Sequence, residues 1–127
     1  MERKFLLWGF ILGGLAVIIG AFGAHALKDI LTESQQASFE TGIRYQIYHS
    51  LLLLFLSTQS QLKSKLLLNL LVVGVLLFSF SIYFLNLRSF LGAEWFSFLG
   101  PITQVGGLLL ISAWSIAAFK TIQNKIK

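Results

Sequence analysis

The stretch Phe39-Glu40-Thr41-Gly42-Ile43-Arg44-Tyr45-Gln46-Ile47-Tyr48-His49 runs without a break into Ser50-Leu51-Leu52-Leu53-Leu54-Phe55-Leu56. A membrane-crossing helix needs about 20 residues, and the apolar part from Ile47 to Ser57 supplies only about half of that. Counted back from the polar end Ser57-Thr58-Gln59-Ser60, a full span begins near Phe39 and carries Glu40, Arg44, Gln46 and His49 with it. Ionisable side chains at such depth are costly in lipid, so they normally face protein or a water-filled cavity. The stretch therefore reads as a membrane helix with one polar wall. The plainer alternative is a short, tilted span whose Arg44 and tyrosines snorkel to the headgroups.

The rest of the chain sets the class. Its 127 residues are 56% hydrophobic and 12% charged, against a charged share of about 25% in soluble domains. The expectation is an all-α, integral membrane four-helix bundle. It forms one domain over residues 1–127, with spans at about 5–24, 39–58, 66–87 and 98–119. Cysteine is absent, which excludes disulfides, thiolate catalysis and cysteine metal sites. The net charge of +5 does not point to nucleic acid, because the basic residues sit at segment ends and form no patch. Arg3, Lys4, Lys63, Lys65, Lys120, Lys125 and Lys127 flank one end of the bundle. Lys28, Arg44 and Arg88 belong to the other, diluted by Asp29, Glu33, Glu40 and Glu94. The positive-inside rule then places both termini in the cytoplasm.

Glu2-Arg3-Lys4, the following apolar run and Ala24-His25-Ala26 together imitate a cleavable signal peptide. The run exceeds the usual h-region of about 7 to 15 residues, so a retained helix is expected. Its small residues support this. Gly9, Gly13, Ala16, Gly20 and Gly23 recur at spacings of four and three, drawing one stripe along a helix where another backbone can approach closely. Spacing does not identify the partner. Further on, Thr32-Glu33-Ser34-Gln35 forms a capping box, so the second helix starts near Glu33 and is polar in its first turns. Glu40 and Arg44 stand four apart, acid first, the favourable order for a helical ion pair. That pair has two readings, a structural salt bridge or a ligand-binding Arg44.

Polar residues in the other spans lie at matching depth. Ser79, Tyr83 and Asn86 follow an i, i+4, i+7 pattern on one face near the outer end of the third helix. The fourth enters through Gly100-Pro101, with proline tolerated in a first turn, followed by Thr103 and Gln104. The outer half thus gathers His25, Glu40, Arg44, Tyr45, Tyr48, His49, Tyr83, Asn86, Thr103 and Gln104, while the inner half is nearly all aliphatic and phenylalanine. Such asymmetry predicts a polar pocket in the outer half. Interhelical hydrogen bonds that only hold the bundle together are the alternative.

Gly20-Ala21-Phe22-Gly23-Ala24-His25-Ala26-Leu27, Arg44-Tyr45-Gln46-Ile47-Tyr48-His49, Phe78-Ser79-Phe80-Ser81-Ile82-Tyr83 and Thr103-Gln104-Val105-Gly106-Gly107 resemble the YgdD/YwdK-like family of small membrane proteins of unknown function. The resemblance covers almost the whole chain and implies a multi-pass protein of the bacterial inner membrane with four spans. It implies no reaction. Phe80 stands where the family commonly has glycine, and Gln104 where it commonly has proline. The first questions close packing at that point of the third helix; the second suggests a more regular start to the fourth.

Individual chemistries fit poorly. Two histidines can ligate haem iron, but in regular helices His49 lies several residues deeper than His25. No HExxH motif, acidic cluster, G-x-S-x-G elbow or phosphate loop is present. No cofactor and no catalytic or metal residues are therefore expected, and the chain reads as no enzyme. The leading expectation is a non-catalytic membrane protein that binds a lipid, a quinone-like molecule or a partner subunit through its outer half. Arg44 would hold an anionic or carbonyl group, His25 and His49 would hydrogen-bond, and Tyr45 and Tyr48 would wall the pocket. A homo-oligomer or a membrane complex is the macromolecular form of this reading. The alternative is an oligomeric small-solute or proton-coupled transporter using Glu40 or His49, although Arg44 one turn away favours the charged form of Glu40.

Overall fold

The computed structural model describes residues 1–124; Lys125 and Lys127, counted above among the flanking charges, lie outside the described residues. Every regular element among these residues is helical. The first helix, α1, covers Glu2–His25 and the second, α2, covers Glu33–Ser57. The third, α3, runs over Lys65–Leu87 with a π-helical turn at Leu76–Phe80. A 3-10 turn at Glu94–Phe98 leads into α4, Leu99–Asn124. Length and composition suffice for a membrane crossing in Glu2–His25, Lys65–Leu87 and Glu94–Asn124. With 25 residues α2 matches them in length, but its first half is too polar to qualify by composition.

Local chemistry sets the ends. At the start of α2 the Gln35 N–H donates to Thr32 Oγ1 at 3.1 Å, and the Thr32 N–H donates to Gln35 Oε1 at 2.9 Å, the reciprocal capping box. Ser64 Oγ caps α3 by accepting from the Leu67 N–H at 3.1 Å. Between α3 and α4 the chain reverses through Gly92 at φ 66°, a left-handed conformation that suits glycine. Arg88 Nε lies 3.5 Å from Glu94 Oε2 across that turn.

The helices alternate in direction. Glu2 meets Lys63 at 3.8 Å, Asn124 Nδ2 donates to Gln61 O at 3.1 Å and Lys120 Nζ donates to Leu62 O at 3.4 Å. One end of the bundle therefore collects the start of α1, the α2–α3 turn and the end of α4. At the opposite end lie the α1–α2 and α3–α4 connections. Helices α2 and α3 form the middle, with α1 packed chiefly on α2 and α4 chiefly on α3. Phe5, Leu12, Leu53, Leu56, Leu67 and Leu71 are buried in the main core, while Leu27, Leu31, Phe39 and Tyr83 form a smaller cluster under the α1–α2 connection.

The small-residue stripe of α1 faces α2. A methyl added at Gly9 would strike Leu54, at Gly13 it would press on Ser50, at Gly20 it would touch Ile43 and at Gly23 it would strike the Phe39 ring. Where α4 crosses α3 the fit is tighter still. A Cβ on Gly106 would collide with the backbone of Leu77 and Phe78 inside the π-helical turn, and backbone cannot swing aside as a side chain can. Phe80, in the same turn, sits edge-on to Tyr83 with ring centroids 5.4 Å apart. Gly106→Ala should lower stability by about 1–3 kcal/mol, the usual range for overpacking. Gly14→Ala, with nothing within 4 Å, should be neutral or slightly stabilising. Unfolding of the two variants in detergent measures the contrast.

Candidate functional site

Four segments bring the polar side chains together. The carboxamide of Gln46 is fully buried. Its Nε2 donates to Leu12 O of α1 at 2.7 Å, and its Oε1 accepts the Tyr83 hydroxyl of α3 at 2.7 Å. Ser79 Oγ donates to Gly42 O at 2.7 Å and Asn86 Nδ2 donates to Ser38 Oγ at 3.0 Å. The three polar residues on one face of α3 thus all bond α2. On the other flank Ser81 Oγ bonds Thr103 Oγ1 of α4. Gly42 allows the approach, since a Cβ there would come within 2.7 Å of the Tyr83 ring.

His49 ties α2 to α4. The Trp114 Nε1–H donates to His49 Nε2 at 2.9 Å, so the imidazole proton sits on Nδ1, which donates to Tyr45 O at 2.6 Å. Both ring nitrogens are committed, and neither faces His25, which lies exposed at the far end of α1. The pair does not fit a shared haem iron. Every fully enclosed side-chain nitrogen and oxygen among the described residues has a hydrogen-bond partner. In lipid such satisfaction is the condition for keeping polar groups inside at all.

The remaining expected site residues lie outside this interior. Glu40 Oε2 accepts from Arg44 Nη2 at 3.4 Å, with the two side chains 63% and 60% exposed. Tyr45 and Tyr48 are exposed with ring centroids 5.8 Å apart, and Tyr45 leans on Phe78 at 5.1 Å. Gln104 is exposed on α4. The residues expected to share one pocket therefore fall into an internal network of His49, Tyr83 and Asn86 and an outward-facing set of His25, Glu40, Arg44, Tyr45, Tyr48 and Gln104.

A cavity does open at the α1–α2 connection. Its volume is about 260 Å³, and its walls include Gly20, Ala24, Lys28, Gln36, Phe39 and Glu40. Gln36 Nε2 donates to Lys28 O at 2.6 Å, which pins the connection over α2 and fixes where Lys28 stands. From the sequence Lys28 reads only as a flanking charge and Gln36 carries no signal of its own, because both lie before the span; only the polarity of the connecting segment hints at a site there. Gln46, Ser81 and Trp114 were also missed as site members. For Trp114 the available signal was an indole N–H that needs an acceptor in an apolar helix.

Comparison with known proteins gives a consistent picture. The profile of a family described as a protein of unknown function, DUF423, matches residues 19–107. A UPF0382 membrane protein of Staphylococcus epidermidis is 36% identical over 95% of this chain and 97% of its own length. The UPF0382 membrane protein YwdK of Bacillus subtilis is 35% identical over 88% of this chain and 90% of its own. The UPF0382 inner membrane protein YgdD of Escherichia coli is 30% identical over 99% and 95%. No solved structure matches.

The internal bonds are measurable. Tyr83→Phe should cost about 0.6–2 kcal/mol, because interhelical hydrogen bonds in membranes contribute on that scale and the Gln46 oxygen is left without its donor. Glu40→Gln, which removes an exposed pair, should change stability by less than about 1 kcal/mol. Reversible unfolding in mixed micelles ranks the two.

Proposed function

The chain belongs to the DUF423 family of membrane proteins of unknown function, and we propose that it is a non-catalytic binding protein that holds the polar head of an amphipathic molecule between α1 and α2. The cavity walled by Lys28, Gln36 and Glu40 carries this reading. At about 260 Å³ it falls just below the range of roughly 300–1,000 Å³ typical of pockets for whole small molecules. It suits a headgroup whose chains remain in the surrounding lipid.

The charges define the head. Lys28 offers an ammonium for a phosphate, while Glu40, balanced by Arg44 one turn along, offers a carboxylate for an amine. A zwitterionic phospholipid carries both groups. The small residues of α1 assist, since Gly20 and Ala24 leave room that a larger side chain would fill. In this reading the buried residues His49, Tyr83 and Asn86 hold the wall in place and do not touch the ligand.

Charge also orients the bundle. Arg3, Lys4, Lys63, Lys65 and Lys120 crowd the end that holds the start of α1 and the end of α4, so that end lies in the cytoplasm and the cavity opens toward the outer leaflet of the bacterial inner membrane. A proton-coupled transporter working through Glu40 has less support, because that carboxylate is exposed and paired.

Protein reconstituted with phosphatidylethanolamine and phosphatidylcholine, extracted gently and weighed by native mass spectrometry, should retain phosphatidylethanolamine preferentially. Glu40→Gln, which loses the carboxylate offered to the amine, and Ala24→Phe, which fills the cavity, should each remove that preference while the bundle stays folded. Retention unchanged in both variants would falsify the assignment.

A further inference from the structure

A second cleft, of about 510 Å³, lies at the opposite end of the bundle between α1 and α3, and Lys4, Leu7, Trp8, Lys65, Leu68 and Asn69 line it. It is independent of the cavity at the α1–α2 connection and differs from it in two ways. It is about twice as large and its floor is apolar, with Leu68 buried and Leu7 and Trp8 forming the α1 side. Its rim is cationic.

The lysines at this end have different employments. Lys63 lies 3.8 Å from Glu2 and donates to Ser57 O at 2.9 Å, and Lys120 donates to Leu62 O at 3.4 Å. Lys4 and Lys65 form no ion pair among the described residues, and both line the cleft. They stand in the first turns of α1 and α3, where the helix dipoles add partial positive charge. A ligand that satisfies this cleft needs an anion between two ammonium groups and an apolar continuation along leucine and indole.

We propose that the cleft binds an anionic glycerophospholipid, with its phosphodiester between Lys4 and Lys65 and its first acyl carbons on Leu7, Trp8 and Leu68. Asn69 supplies a polar contact at the level of the glycerol. Trp8 is the residue type that settles where apolar chains meet headgroups. The anionic lipids of a cytoplasmic leaflet are drawn to lysines at the surface, and this cleft converts that diffuse attraction into a defined seat.

The full chain is reconstituted in phosphatidylcholine vesicles containing a minor fraction of phosphatidylglycerol, extracted in mild detergent, and its bound lipid identified by native mass spectrometry. The expected result is enrichment of phosphatidylglycerol over phosphatidylcholine that falls by about tenfold or more in the double variant Lys4→Gln, Lys65→Gln, given two surface lysines lost. Asn69→Trp, at an exposed rim position, fills the cleft without changing charge and should abolish the enrichment as well. Lys120→Gln, at the same end but outside the cleft, should leave it intact. Equal loss in Lys120→Gln, or full retention in Asn69→Trp, would show a general cationic surface and overturn the proposal. Displacement of the lipid by millimolar inorganic phosphate would overturn it too, by assigning the seat to a free anion.

Discussion

The buried carboxamide of Gln46 joins three helices: its nitrogen bonds the Leu12 carbonyl of α1 and its oxygen the Tyr83 hydroxyl of α3. In water such a group could trade partners with solvent. Inside a bilayer an unmet amide costs several kcal/mol, so the position of one satisfied side chain constrains the depth and rotation of all three helices at once. Ser79, Asn86 and the His49–Trp114 pair obey the same rule nearby. Apolar packing alone would leave helices free to slide, since lipid tails compete on equal terms with leucine. Polar contacts supply the register.

The sequence made the helical class, the Thr32–Gln35 cap and the Glu40–Arg44 pair readable, because each depends on local periodicity or short-range spacing. It also placed Ser79, Tyr83 and Asn86 on one face of α3. What it could not convey was the partner across that face. The three bond Gly42, Gln46 and Ser38 of α2, contacts that join positions tens of residues apart and leave no periodic trace. The α1 stripe was legible as a packing surface for the same reason that its partner α2 was not. Grouping the outer polar residues into one pocket blurred two environments, since helical depth was known and helical direction was not. His49 turned inward to Trp114, whereas Arg44, little more than one turn away, stayed at the surface.

Glycines and hydroxyls divide the labour between the two flanks of α3. Toward α2 the approach is permitted by Gly42 and fixed by three hydrogen bonds. Toward α4 it is permitted by Gly74 and Gly106 and fixed by Ser81 and Thr103. The motif Thr103-Gln104-Val105-Gly106-Gly107 acquires a physical sense here. Its hydroxyl reaches one turn of α3 and its glycine seats against the next.

The π-helical turn at Leu76–Phe80 has a bearing on how this chain tolerates changes in length. One turn that holds an additional residue is, in helical phase, a one-residue insertion absorbed without breaking the rod. Residues beyond it are rotated by about 100° relative to an uninterrupted α-helix, at 3.6 residues per turn. That offset lets Leu67 and Leu71 face the main core while Tyr83 and Asn86, further along, still aim at α2. The two halves of α3 are thus indexed independently. A single-residue deletion within the turn would regularise the helix and rotate Tyr83 and Asn86 by about 100° out of their bonds to α2, whereas Lys65–Val75, before the turn, would keep its phase.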